Sequence, residues 1–158
     1  MTSYKTPFTI IEDDLSGKNI QDLLAYHLAQ AHVNSPPGTV FALDLDALRQ
    51  PDIRFWSIWD GCTLLGCGAL KMLAAAHGEI KSVRTTDAAL GQGVASQVLS
   101  HIIKSAQIKG VTQLSLETGN RDAFLPARNL YEKFGFEYCG PFADYVDNPY
   151  SAFMTKAI

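Results

Sequence analysis

Glu79-Ile-Lys-Ser-Val-Arg-Thr-Thr-Asp-Ala-Ala-Leu-Gly-Gln-Gly-Val-Ala95 is the stretch on which the fold turns. Its first part, Glu79 to Thr85, reads as a strand. Its second part, Gly91-Gln92-Gly93, opens a helix whose apolar stripe is Val94, Val98, Leu99, Ile102, Ile103 and Ala106. A glycine-rich turn that opens a helix is a natural anion site. Its free N–H groups converge, and the helix dipole favours negative charge there. Glycines also let a pyrophosphate approach the backbone without side-chain obstruction.

Upstream of this stretch, Phe8 to Glu12 reads as a first strand, and Asp13-Asp14-Leu15-Ser16-Gly17 breaks it. Ile20, Leu23, Leu24, His27, Leu28 and Ala31 then recur at helical spacing. That helix ends before Ser35-Pro36-Pro37-Gly38, where proline opposes continuation. A short helix is expected from Asp44 to Arg49. Ile53 to Trp59 is a strand, Asp60-Gly61 a hairpin turn, and Thr63 to Lys71 the returning strand. A loop from Ala74 to Gly78 leads into the strand at Glu79. Trp56 and Trp59 stand three apart, so they face opposite ways.

Downstream, Gly110 stops the helix and Val111 to Glu117 forms a strand. Thr118-Gly119-Asn120 is a turn, and a helix runs from Ala123 to Lys133 with Pro126 in its first turn. Gly135 is a C-cap, and Phe136 to Cys139 and Ser151 to Lys156 close the chain as strands. The order β-α-α-β-β-β-α-β-α-β-β predicts an α+β or mixed α/β sheet with helices on both faces.

The 158 residues suit one domain spanning 1–158 and a real core. Hydrophobic residues make up 47% and charged residues 18%, ordinary values for a globular protein. A net charge of −3 and the lack of a basic segment argue against nucleic-acid binding. No apolar run approaches the ~18 residues of a membrane span. The first residues carry no apolar signal core, so the expected location is cytoplasmic. Three cysteines cannot all pair within the chain. Cys62 and Cys67 lack zinc-ribbon spacing, and all three cysteines are expected to be small buried residues. No metal is expected.

The segment Glu79 to Ala95 resembles the acetyl-CoA signature of the GNAT N-acetyltransferase superfamily. That signature reads Gln or Arg, two free positions, Gly, one free position, then Gly or Ala. Gly93 and Ala95 fit its second and last defined positions, and Leu90 stands where Gln or Arg is usual. Arg128-Asn129-Leu130-Tyr131-Glu132-Lys133-Phe134-Gly135-Phe136 is similar to a second family segment, Leu-Tyr-x-Lys-x-Gly-Phe. Gly78-Glu-Ile-Lys-Ser and Leu116-Glu-Thr-Gly look like the YsnE-like branch. The likeness covers Phe8 to Lys156. It implies the acyl-CoA N-acyltransferase fold, a central, mostly antiparallel twisted sheet flanked by helices.

The resemblance implies an acetyl-CoA-dependent N-acetyltransferase whose amine acceptor attacks the thioester directly. The acceptor is a small-molecule amine or a protein lysine, and homodimers are common in the family. Val83 and Thr85 would pair with the pantetheine arm. The N–H groups of Gly91, Gln92, Gly93, Val94, Ala95 and Ser96 would hold the pyrophosphate, with Arg84, Leu90 and Arg128 around the cofactor. Glu79 is the candidate base, since an alkyl amine must lose a proton to attack. Tyr131 is the candidate acid, since a phenol stays protonated at neutral pH and can donate to a departing thiolate. An oxyanion donor is expected from the backbone near Val83 or Arg84. His32, Phe142 and Tyr145 are candidates for the acceptor side. His27 and His101 are read as surface or structural residues, and Asp144 joins the Phe142 and Tyr145 cluster.

Other readings fit less well. A dinucleotide-binding unit would need a glycine at Ser96 and its first glycine close behind the strand end at Thr85, although Glu117 stands where a ribose-binding acid would. No Gly-Lys-Ser/Thr follows the glycines, which excludes a P-loop. His77-Gly78-Glu79 lacks the Pro-Cys-x-x-Cys partner of zinc deaminases. The alternative of a different class is an acyl-CoA-binding sensor or partner module of the same fold without turnover.

Overall fold

A computed structural model describes residues 8–34 and 45–158, with side chains described from 8–29 and 45–158. Among the described residues seven strands form one sheet: β1 Thr9–Glu12, β2 Ile53–Asp60, β3 Thr63–Ala74, β4 His77–Thr85, β5 Gln113–Gly119, β6 Glu137–Cys139 and β7 Ser151–Ala157. The helices described beside them are α1 Lys18–Asn34, α2 Leu45–Leu48, α3 Val94–Ile108 and α4 Leu125–Lys133. The sheet order is β1-β2-β3-β4-β5-β7-β6. Neighbours are antiparallel except β4 and β5, which α3 joins as a parallel pair. The element order is the one the sequence predicts, and so is the mixed α/β fold with helices on both faces.

Two apolar cores lie on opposite faces. On one face Val94, Val98, Leu99, Ile102 and Ala106 of α3 pack with Leu70, Ile80, Leu114, Leu116 and Met154. On the other, Ile20 and Leu23 of α1 and Leu48 of α2 pack with Phe55, Leu64, Cys67 and Ala69. Trp56 belongs to the first core and Trp59 packs on the second, so the two do face apart. Helix α3 can lie close to β3 because β3 offers glycine there. A Cβ on Gly66 would stand 2.5 Å from the Arg84 carbonyl oxygen, and one on Gly68 would stand 2.6 Å from a Val98 methyl.

Several expected boundaries move. The loop at Ala74 to Gly78 is instead a tight turn at Ala75-Ala76, and β4 begins at His77. The reversal between the two strands was expected, but alanines make a weak turn signal, so its tightness was not. Strand β5 is shifted two residues onward and takes in Thr118 and Gly119, because it pairs with β7 as far as Gly119 and Ser151. A 3-10 turn, Asp122–Phe124, precedes α4, so the helix starts at Leu125 with Pro126 in its first turn. The short second helix covers Leu45–Leu48, and Asp44 lies outside the described residues. Cys67 alone is buried, while Cys62 on the hairpin turn and Cys139 on an edge strand are exposed. His101 stacks edge-on against Trp56 at 5.4 Å. No helix among the described residues is long and apolar enough to cross a membrane.

Candidate active site

The site is built where β4 and β5 part. These parallel strands pair only from His77 with Gln113 to Glu79 with Ser115. Beyond that point β4 continues against β3 to Thr85, and β5 continues against β7 to Gly119. The facing edges of the two strands therefore leave backbone N–H and C=O groups without a ladder partner, and such groups seek one.

At the far end of this opening lies the glycine turn. Gly91 and Gly93 both have φ of 78°, the left-handed region that glycine adopts without strain. The first intrahelical bond of α3 is from Gln97 N–H to the Gly93 carbonyl. Every backbone N–H from Gly91 to Ser96 is thus without an acceptor among the described residues. No acidic side chain stands in the first turn of α3 to compete for them. Gly91, Gln92, Gly93, Val94, Ala95 and Ser96 together form a cradle for a phosphate group, with the helix dipole adding to it. Leu90 is 63% exposed, so the residue standing at the Gln/Arg position gives no packing to the loop.

Within β4 a bulge decides which side chains meet. Lys81 pairs with Ala69 and Arg84 with Cys67, so Ser82 and Val83 together stand opposite Gly68. Ser82 has φ of 55°, and its carbonyl accepts from Cys67 Sγ at 3.3 Å. In a regular strand Lys81 and Arg84, three apart, would point to opposite faces. The extra residue puts both on the α1 face with Glu79 and turns Val83 toward α3.

Glu79, the candidate base, is 3% exposed. Its Oε2 accepts from Lys81 Nζ at 2.9 Å and from the Tyr145 hydroxyl at 2.6 Å. Lys81 Nζ also donates to the Tyr145 oxygen at 2.8 Å. The other oxygen, Oε1, has no partner among the described residues and keeps contact with solvent. Burial first, and then the bond to Glu79, push the Tyr145 phenol far up. Phe142 packs on Tyr145 at 5.1 Å and on Phe153 at 6.0 Å, so the late loop is anchored on this face while carrying Tyr145 to Glu79. Asp144 of the same loop is exposed.

Tyr131 reaches the opening from the other face. It is buried on α4 against Phe136, and its hydroxyl has no partner among the described residues yet keeps contact with solvent. Burial raises its pKa, while the charge of Arg84 lowers it and that of Glu117 raises it. Charges on the α1 face reach this hydroxyl because no strand fills the gap between β4 and β5.

Arg128 is buried and donates to the carbonyls of Gly119 at 2.7 Å and Arg121 at 2.9 Å. In the structure it ties α4 to the end of β5, a structural role beside the cofactor role expected for it. Val83 and Thr85 lie on the parted stretch of β4. His32 falls on the last turn of α1, and its side chain lies outside the described residues. Among the described residues no His, Cys, Asp and Glu side chains gather as metal ligands.

Sequence reasoning missed Lys81 and gave Glu117 no place in this site. Glu117 pairs with Phe153 in the ladder and shares the α1 face with Ser115. Burial raises its pKa, against the hydrogen bond from Ser151 and the charge of Lys81. The signal was the alternation along β5, where Ser115 and Glu117 separate core residues Leu114 and Leu116.

A sheet that parts beside a cradle of N–H groups, with the Tyr131 phenol at the opening, is an arrangement suited to an acyltransferase. Residues 20–136 match the Acetyltransferase (GNAT) family, and the chain belongs to that family. It is 54% identical to the N-acetyltransferase YsnE of Bacillus subtilis over 92% of this chain and 97% of that one. It is 47% identical to the N-acetyltransferase YedL of Escherichia coli over 96% of this chain and 95% of that one. A GNAT family acetyltransferase from Elizabethkingia anophelis, solved with acetyl-CoA bound, superposes with a TM-score of 0.71 at 18% identity, covering 96% of this chain and 98% of that one.

Proposed function

We propose that the chain moves an acetyl group from acetyl-CoA to a primary amine by direct attack. The observation that carries this reading is the run of free N–H groups from Gly91 to Ser96 at one end of the β4–β5 opening, with Glu79 and Tyr131 along it. The pyrophosphate sits on the glycine turn, and the pantetheine arm takes the open edge of β4 at Val83 and Thr85. A solved family member that carries acetyl-CoA supports the choice of donor.

In the reaction the amine arrives as an ammonium ion. Glu79 takes its proton at Oε1, directly or through a water, while Lys81 and Tyr145 hold Oε2. The amine nitrogen bonds to the thioester carbon, and a backbone N–H at the bulge near Val83 or Arg84 meets the developing oxyanion. The C–S bond breaks and the thiolate takes the Tyr131 proton. The nitrogen, still carrying one proton too many, gives it up through solvent to restore Tyr131, and Glu79 releases its own proton to solvent, so ammonium and acetyl-CoA become amide, free thiol and one proton. Burial keeps Tyr131 protonated until that step. An acyl-CoA sensor of this fold has no need of the free Tyr131 hydroxyl and Glu79 Oε1, so their presence favours turnover.

Calorimetric titration with acetyl-CoA, followed by thiol release against a panel of amines, tests the reading. Micromolar binding with amine-dependent thiol release is expected. Binding with no release from any amine would turn the assignment toward the sensor, and no binding would end it.

A further inference from the structure

A cavity of about 410 Å³ opens between α1, α2 and the bulged end of β4. That volume falls in the range of small-molecule sites, roughly 300–1,000 Å³. Its apolar lining is Leu24 and Leu28 of α1 and Leu45 and Leu48 of α2. Its polar lining is Gln21, Asp22 and His27 of α1 with Ser82 and Arg84 of β4.

Arg84 is half-buried and has no carboxylate partner among the described residues. Its hydrogen bond goes to the Val83 carbonyl at 3.2 Å. The nearby acids are engaged elsewhere. Glu79 is paired with Lys81, Glu117 feels the charge of Lys81 beside it, and Asp22, which lines the cavity, pairs with Lys18 at 2.6 Å. His27 adds no second cation, because burial first and then the charge of Arg84 lower its pKa. Among the described residues its Nε2 is sealed from solvent with no close hydrogen-bond partner. A partly desolvated guanidinium gains most from a planar, bidentate anion, and a carboxylate is the match in size and shape.

We propose that the acceptor carries a carboxylate as well as its amine. Arg84 holds the carboxylate, and the apolar part of the acceptor lies along Leu24, Leu28, Leu45 and Leu48. The amine is thereby turned toward the Glu79 and Glu117 side of β4 and β5. The acceptor class is thus a free amino acid, or a similar amino acid, with a hydrophobic side chain. This proposal rests on the acetyltransferase reading and specifies its acceptor.

Matched acceptors separate the two claims. Phenylalanine is compared with phenethylamine, and leucine with 3-methylbutylamine, by thiol release at saturating acetyl-CoA. The carboxylated member of each pair is expected to show a kcat/KM roughly 10- to 100-fold higher, mainly through KM. Arg84→Gln is expected to erase that ratio and Arg84→Lys to keep part of it. The ratio is taken on one protein, so a change in cofactor affinity does not alter it. Equal rates within a pair, or an unchanged ratio in Arg84→Gln, would overturn the proposal. If no amine is turned over, N-acetylphenylalanine and N-phenethylacetamide are titrated into the CoA-saturated protein. Tighter binding of the acid, lost in Arg84→Gln, upholds the site, and equal or absent binding of both refutes it. If acetyl-CoA itself fails to bind, the acetyltransferase reading falls, while the same titrations on the free protein still decide for or against Arg84.

Discussion

At the residue scale, Tyr131 and Glu79 divide the proton traffic. Tyr131→Phe removes the donor and leaves the ring against Phe136 in place. It is expected to lower kcat by about 100-fold or more with little change in acetyl-CoA affinity, read by steady-state kinetics and calorimetry. Glu117 gives a pH test. Its folded pKa is raised by burial above the ordinary 4.5, so the native state holds this proton more tightly than the unfolded chain does. Stability from this group is full below 4.5 and is lost as pH rises through the raised folded value. Glu117→Gln cannot ionise. Its stability relative to the parent should therefore grow as pH rises from 4 toward neutrality, and denaturant midpoints measured across that range would show it. A constant difference would mean that the carboxyl is not desolvated. Tyr131, Glu79 and the glycines were legible in the sequence because each sits in or beside a short motif. Arg84 was legible as a position but not as a cavity wall, since its direction depends on the bulge.

At the element scale, β4 shows why such a direction is hidden. Simple alternation sends Lys81 and Arg84 to opposite faces, and only the pairing with β3 reveals the inserted residue. The two-residue tightness of the turn at Ala75-Ala76 was likewise hidden, because an alanine pair specifies no turn type, and a longer loop was expected there. The strand-loop-helix unit from Glu79 onward was readable because glycine is required at Gly91 and Gly93 and the apolar stripe of α3 has one period. The same logic makes Gly66 a sensitive position. A Cβ there meets the Arg84 carbonyl at 2.5 Å and a Val94 methyl at 2.9 Å, so β4 and the start of α3 must both shift. Gly66→Ala is expected to cost about 1–3 kcal/mol in a denaturant titration. It is also expected to weaken acetyl-CoA binding, because the cradle moves with α3.

At the scale of the whole molecule, the ligand supplies what the sheet lacks. Acetyl-CoA at 100 times its Kd should stabilise the fold by about 2.7 kcal/mol. In a chain of this length that corresponds to a rise in Tm of roughly 5–10 °C, measurable by thermal shift. A truncated analogue that ends at the pantetheine, without the pyrophosphate, should give much less. The order of the sheet was largely readable, since three strands in a meander and one crossover leave few arrangements. That β4 and β5 would meet over so short a length was not, because both sequences are good strands throughout.

That short seam also has a consequence for how the protein breathes. One block holds β1 to β4 and the other holds β5, β7 and β6, and the backbone ladder joining them is only the run from His77 to Glu79. Such a sheet can open as two foldons of unequal protection. Without ligand, amide exchange along the free edges of β4 and β5 should be fast and should proceed separately in the two blocks. A bound pantetheine arm bridging the seam would merge them into one cooperative unit, so the donor substrate would act as the missing strand that makes the protein unfold all at once.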